Sequence, residues 1–332
     1  MLLDVRSPSE YAKGHAPGAH SLPLFSDEER AKVGICYKQN GQEAAIRLGL
    51  KLVGPKMGDL VSKADELIAT SEQPTQLYCW RGGMRSASMQ WLLETAGHSI
   101  NRWEGGYKAY RHRVLQAWSN PPPLVVLSGL TGSGKTEILH AMQGQVQTLD
   151  LEGMANHKGS AFGALGEAPQ PTNEMFENYG AQQIDTLEVS KPLWIEDESR
   201  SIGRIFLPTE FMTLKKEAPI VVIQRTDDER VQHLTELYGQ ADREALADSF
   251  DRIRRRLGDL RTNQCIEALL AGDIAYAARE ALHYYDRTYH ESLARRKSQV
   301  ITTIQAEGMT WDEIAKEVIR KASPLLTSSQ AS

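Results

Sequence analysis

The sequence predicts an α/β protein of two domains, each a parallel sheet covered by helices. Three observations predict it. The chain has 332 residues, more than one compact domain usually holds. Short apolar runs alternate with amphipathic stretches, as strand–helix–strand units require. One seam, "WSNPPPLVVLSG", interrupts the alternation. Its three prolines cannot continue the helix suggested by "YKAYRHRVLQAW", and "LVVLS" then opens a buried strand. The boundary falls near residues 118–123, giving domains 1–118 and 119–332.

Before the seam, "LLDV", "HSLPL", "TQLYCW" and "INRWEGG" supply strands, while "GQEAAIRLGLKLV", "GDLVSKADELIATS" and "RSASMQWLLETAG" supply helices. After it, "LVVLSG" runs into the helix "GKTEILHAMQ", and "QTLDL", "PLWIED", "PIVVIQR" and "SQVITTI" are further strands. Long helices fill residues 228–293. "TWDE" is a capping box, with Thr310 as N-cap and Glu313 three positions on, opening "EIAKEVIRKA". The final "TSSQAS" should fray.

Hydrophobic residues make up 41% and charged residues 24%, ordinary for a globular protein. A formal net charge of -5 argues against a protein that coats nucleic acid non-specifically, though it leaves room for a local basic groove. No apolar run is long enough for a membrane span, and "MLLDVRSPSEY" lacks the pattern of a secretory signal. Cys36, Cys79 and Cys265 are far apart and odd in number, so neither a disulfide framework nor a zinc site is expected. The reducing cytoplasm suits such a chain.

"GLTGSGKT" fits the phosphate-binding loop G-x-x-x-x-G-K-[ST] in its proper place between strand and helix. Gly129, Gly132, Ser133 and Gly134 let backbone N–H groups converge on phosphate oxygens. Lys135 would neutralise the terminal phosphates, and Thr136 can hold a magnesium ion. Asp150, Glu196, Asp197 and Glu198 are candidate acids for metal or substrate. The run "DRIRRRLGDL" offers Arg254 and Arg255, with Arg252 and Arg256, as a lid over phosphate; the plain alternative is a solvated helix face. The motif specifies a polyphosphate without choosing between a nucleotide and another diphosphate.

Cys79 lies at the C-terminal end of an expected parallel strand, just before a helix, where open α/β sheets bind ligands. Gly82 and Gly83 can expose backbone donors, Arg81 and Arg85 supply cationic charge, and Ser86 adds a hydroxyl. Such surroundings favour a thiolate or persulfide over a buried structural thiol. Cys265, at an apolar helical position in "NQCIEALL", reads as core, and Cys36 has no comparable loop.

"DVRSPSEYAKGHAPGAHSLPL", the loop after Cys79 and "WEGGYKAYR" resemble a rhodanese domain. Joined to a P-loop domain, with "VGICYKQNGQEAAIRLGLKLV", "DLEGMANHKGSAFG", "WIEDESRSIG" and "HYYDRTY", the chain resembles the tRNA 2-selenouridine synthase family over nearly its whole length. The resemblance implies a rhodanese-like domain followed by a P-loop NTPase-like domain with a helical C-terminal region. It also implies an enzyme acting on the wobble 2-thiouridine in the tRNA anticodon loop. In that family geranyl diphosphate alkylates the sulfur, and selenophosphate then converts the S-geranyl base to 2-selenouridine. Cys79 falls at the family's essential cysteine. No tightly held cofactor is implied beyond magnesium at the P-loop, and the enzyme that makes selenophosphate is a further implied partner. Trp80, Tyr284, Tyr285 and Tyr289 are candidates to stack on RNA bases. Tyr78 stands where the family has a second cysteine, so no adjacent thiol pair exists. Rhodanese domains usually have a further strand and helix before "DVRSP", so the expectation is either a shortened N-terminus or a start placed at an internal methionine. The alternative function is a P-loop kinase or NTPase with a sulfur-delivering rhodanese domain.

Overall fold

The computed structural model describes residues 1–69 and 74–328, in two compact units. The end of "GDLVSKADELIATS" and most of the "TSSQAS" tail lie outside the described residues. Among the described residues, no helix is long and apolar enough to cross a membrane.

The first unit comprises Met1–Ala117 and Thr172–Gln182. Its strands β1 (Leu2–Asp4), β2 (Ala19–Ser21), β3 (Thr75–Tyr78) and β4 (Ile100–Arg102) form a parallel sheet in the order β2-β1-β3-β4. Side chains alternate across it, as the strand period demands. Leu3, Val5, Leu77 and Cys79 join one core with Leu60, Met89 and Leu93 of the flanking helices. Tyr78 joins Ala16, Ala19 and Tyr107 in another. The helix expected over "GQEAAIRLGLKLV" is longer, Asp27–Val53, with one break at Gly41 (φ 83°, ψ 179°). Ser26 and Glu29 form its capping box, a start signal that the sequence reading passed over.

The excursion Thr172–Gln182 returns the chain to this unit and was not foreseen. Asn178, fully buried, explains its attachment. Its amide donates to the His15 carbonyl (2.7 Å) and the Tyr107 hydroxyl (2.8 Å), and its carbonyl accepts from Arg111 Nη1 (2.6 Å). No hydrophobic periodicity announces such a contact.

The second unit comprises Trp118–Pro171 and Gln183–Ser332. Its sheet contains β5 (Leu124–Gly129), β6 (Gln147–Leu149), β7 (Leu193–Glu196) and two later strands. The short antiparallel pair β8 (Ser201–Ile202) and β9 (Ile205–Phe206) stands apart. β10 (Ile220–Gln224) and β11 (Val300–Gln305) complete the parallel order β11-β10-β5-β7-β6. All six residues of β5 are buried, as a central strand covered on both faces requires. Helices Asp227–Tyr238, Arg243–Leu257, Asp259–Ala271 and Ile274–Arg295 form the helical region. Thr310 and Glu313 cap the last helix, Trp311–Ser328, reciprocally: the Thr310 N–H donates to Glu313 Oε2 (2.8 Å) and the Glu313 N–H to Thr310 Oγ1 (3.4 Å).

Candidate active site

β3 ends at Tyr78, so Cys79 begins the loop, and helix Met84–Thr95 starts after Gly83. The Cys79 thiol is almost fully buried and donates to Ser86 Oγ (3.2 Å), whose hydroxyl donates to the Gly83 carbonyl (2.9 Å). Once the sulfur is an anion, the same hydroxyl can turn to donate to it. Free N–H groups of the helix start add positive potential there. Arg85 is committed elsewhere: its Nη1 pairs with Glu10 Oε2 at 2.6 Å. Burial opposes ionisation of Glu10, but Arg85 holds its carboxyl below the usual range. Arg81 is exposed and makes no ion pair among the described residues, so its charge is available to a ligand.

Cys79 lines a cleft of about 790 Å³ whose opposite wall is the helix Asp27–Val53. Phe25, Val33, Ile46 and Leu50 give it an apolar wall, while Arg30, Lys38 and Arg81 supply charge. Trp80, 37% exposed, also lines it. This wall was the part of the site that sequence reasoning missed; its signal was the apolar spacing in "VGICYKQNGQEAAIRLGLKLV".

Gly106 explains the "WEGG" motif. It has φ +59°, and a Cβ there would lie 2.3 Å from the Cys79 carbonyl oxygen and 2.4 Å from the Gly82 nitrogen. Gly106→Ala is therefore expected to destabilise the first unit by more than about 2 kcal/mol. Gly83 has φ -89° and nothing within 4 Å of a Cβ, so Gly83→Ala should cost far less. Urea unfolding of the two variants checks the contrast.

In the second unit, the phosphate loop follows β5 and leads into helix Lys135–Ala141. Lys135 Nζ donates to the Gly129 carbonyl (3.1 Å), folded back over its own loop. Gly134 has φ +78°, and a Cβ there would strike the Trp311 ring at 2.3 Å. Arg230, fully buried, braces the loop: its Nε donates to the Thr131 carbonyl (2.9 Å) and its Nη1 pairs with Asp286 Oδ2 (2.9 Å). Neither Arg230 nor Asp286 was singled out from sequence, because their pairing depends on two distant helices.

Gly132, Gly134, Lys135 and Thr136 line a cleft of about 320 Å³ with Asp150 and Glu152. Ser133 turns inward and is buried. Asp150 caps helix Leu151–Ala155 through the Gly153 N–H (2.6 Å) and meets His140 Nε2 (2.7 Å). Glu152, unremarked in the sequence, lines the same cleft and meets the loop's Thr136. Its Oε2 accepts from Thr136 Oγ1 (2.8 Å). Burial, then the facing Glu198 carboxylate, push Glu152 up to about 8, against the pull of Lys135 and Thr136. Glu196 is buried behind it, accepting from the Leu151 N–H (3.1 Å), and is also pushed well up by burial and by Asp150.

The raised Glu152 has a definite sign. Between its ordinary 4.5 and about 8 the folded protein holds a proton that the unfolded chain has released. Its contribution to stability therefore falls as pH rises through that window and is level above it. Inorganic diphosphate should bind more weakly in metal-free buffer once Glu152 ionises. Calorimetric titrations from about pH 6.5 to 9 should show that weakening in the wild type, beyond whatever Glu152→Gln retains.

Three expectations require correction. Asp197 does not line the phosphate cleft: it is held by Lys215 Nζ (2.7 Å), Arg296 Nη2 (2.7 Å) and the Ser128 hydroxyl. Burial opposes its ionisation, but Lys215 and Arg296 hold it well below the carboxylate range. Successive strand-end residues point to opposite faces, which sends Glu196 and Glu198 toward Glu152 and Asp197 away. Arg254 and Arg255 form no lid over the phosphate cleft. Leu246, Phe250, Ile253 and Leu257 bury the other face of their helix, leaving Arg254 outside to pair with Asp251 (2.8 Å). Tyr285 and Tyr289 are not free to stack on RNA. Tyr285 OH accepts from the Ala161 N–H (3.2 Å), and Tyr289 OH meets Ser128 Oγ (2.8 Å). Tyr284 OH accepts from Arg256 (3.1 Å), so "HYYDRTY" is mainly a brace.

The profile of the tRNA 2-selenouridine synthase AAA domain matches residues 122–316, and that of the rhodanese-like domain matches residues 1–113. A tRNA 2-selenouridine synthase of Marinobacter nauticus is 34% identical over 334 residues, covering 90% of each chain. The chain belongs to the tRNA 2-selenouridine synthase family. Family proteins from Shewanella denitrificans (36% identical, 90% of each chain) and Hahella chejuensis (37%, 90% of this chain and 87% of the relative) carry the same name. The rhodanese-like match falls within the first unit, and the AAA-domain match covers most of the second together with the excursion Thr172–Gln182.

Proposed function

We propose that the chain exchanges sulfur for selenium in the wobble 2-thiouridine of tRNA, in the cytoplasm, by two transfers. In the first, the base sulfur attacks C1 of geranyl diphosphate; a C–S bond forms, the C–O bond breaks, and diphosphate departs. In the second, selenium from selenophosphate displaces the S-geranyl group at C2 of the base. Geranyl thiol leaves, and water takes the phosphoryl group as phosphate, with no net oxidation.

The second unit suits the first transfer. Lys135 and the phosphate loop line the cleft and would stabilise the growing charge of a departing diphosphate there. Magnesium fits there: Thr136 and Glu152 would hold it, and its charge would relieve the crowding of Glu152 against Glu198. Among the described residues, no three His, Cys, Asp or Glu side chains gather to hold a metal alone, so phosphate oxygens would complete the shell.

The observation that carries the selenium step is Cys79, a thiol lining a cleft with both an apolar wall and a free arginine. The apolar wall suits an S-alkylated base, Arg81 suits an anionic donor or RNA phosphate, and Trp80 can stack on the base. Binding of tRNA should weaken with rising salt as phosphate contacts release counterions. The test is mass spectrometry of tRNA nucleosides from a strain lacking the gene: 2-selenouridine should vanish, and its persistence would sink the reading.

A further inference from the structure

The phosphate cleft does not end at its loop. Thr131, Ser160, Leu234 and Tyr238 line it and also line a second, adjoining pocket. The body of that pocket is formed by Phe162 and by the helical region, with Leu246, Phe250, Leu269, Ala278 and Leu282 among its walls. Among the described residues, no amide, carboxylate or basic side chain lines it. Two of its four hydroxyls are engaged: Tyr285 OH accepts from the Ala161 N–H (3.2 Å), and Ser160 Oγ accepts from the Phe162 N–H (3.2 Å).

We infer that this pocket receives the isoprenyl chain of a prenyl diphosphate whose phosphates lie on the loop. The inference rests on the proposed geranyl transfer and assigns its chain-binding residues. A nucleoside needs polar groups to meet its base edges and ribose, and burying those unpaired is costly. A branched hydrocarbon needs none and gains from leaving water. The continuity of the two pockets places an apolar tail and an anionic head on one molecule. The second pocket is narrow, with about 40 Å³ of free space, so a chain must part its walls. Residues at those walls therefore set how long a chain is accepted. Ala277, Ala278 and Ala281 keep the helix Ile274–Arg295 slim where it borders the pocket, and Phe162 and Phe250 meet edge-on at 4.8 Å on another side.

The test is calorimetry on the full chain with inorganic diphosphate, ATP, and dimethylallyl, geranyl and farnesyl diphosphates. In the wild type, geranyl diphosphate should bind at least about tenfold more tightly than inorganic diphosphate. Ala278→Leu should remove most of that surplus while preserving binding of inorganic diphosphate, which also reports that the phosphate loop is folded. Phe250→Ala should shift preference toward farnesyl diphosphate. If geranyl diphosphate gains nothing over inorganic diphosphate, or ATP binds more tightly than either, the proposed transfer fails and the inference with it. If the surplus is present but neither variant alters it or the length preference, the transfer stands and the pocket assignment is overturned.

Discussion

Cys79→Ser should abolish selenium incorporation while S-geranyl-2-thiouridine accumulates in tRNA. The substitution preserves shape and a donor to Ser86 Oγ, so the loop should fold with a loss of about 1 kcal/mol or less. What it removes is the polarizable thiol that lines the cleft beside the reacting base. A serine hydroxyl does not ionise near neutral pH, and the ligand-facing charge beside it is Arg81, which cannot accept a proton. The loss should be on the order of 10³-fold or more, the scale seen when an essential catalytic group is removed. Geranyl transfer should be nearly untouched, because it is assigned to the P-loop unit. Nucleoside mass spectrometry reads both products in one digest. Full selenation by Cys79→Ser would remove the thiol from the mechanism.

Lys135→Ala should produce the opposite block. Lys135 lines the phosphate cleft and donates to the Gly129 carbonyl. Its loss should cost folding little, yet leave the departing diphosphate without its ammonium partner. Removing one such stabilising group costs about 10²–10³ in turnover. Geranylation should fall by that factor, whereas tRNA already carrying S-geranyl-2-thiouridine should still be converted by the variant. Equal loss of both steps would show that the two transfers are not divided between Lys135 and Cys79.

The local parts of this protein were legible from sequence because their chemistry is local. "GLTGSGKT" must contain those glycines to turn its amides inward, and "CWRGGMRS" must contain Gly82, with φ +66°, to pass under the "WEGG" turn. Strand alternation showed both parallel sheets. What stayed hidden depends on contacts across the chain. Glu152 is an ordinary helix residue until Thr136 and Glu198 are brought to it. Asp197 resembles its two acidic neighbours until strand alternation turns it toward Lys215 and Arg296. Arg254 lies in a run that looks like a phosphate clamp, but the apolar side of the same helix decides which way it faces. The return of Thr172–Gln182 to the first unit rests largely on Asn178, and one buried amide leaves no periodic signal.

The most direct measurement is a stepwise reconstitution with purified chain and tRNA bearing 2-thiouridine, followed by nucleoside mass spectrometry. Geranyl diphosphate alone should yield S-geranyl-2-thiouridine, and later addition of selenophosphate should convert that product to 2-selenouridine with release of geranyl thiol. Conversion of 2-thiouridine by selenophosphate and ATP, with no geranyl intermediate formed or required, would contradict the two-transfer mechanism.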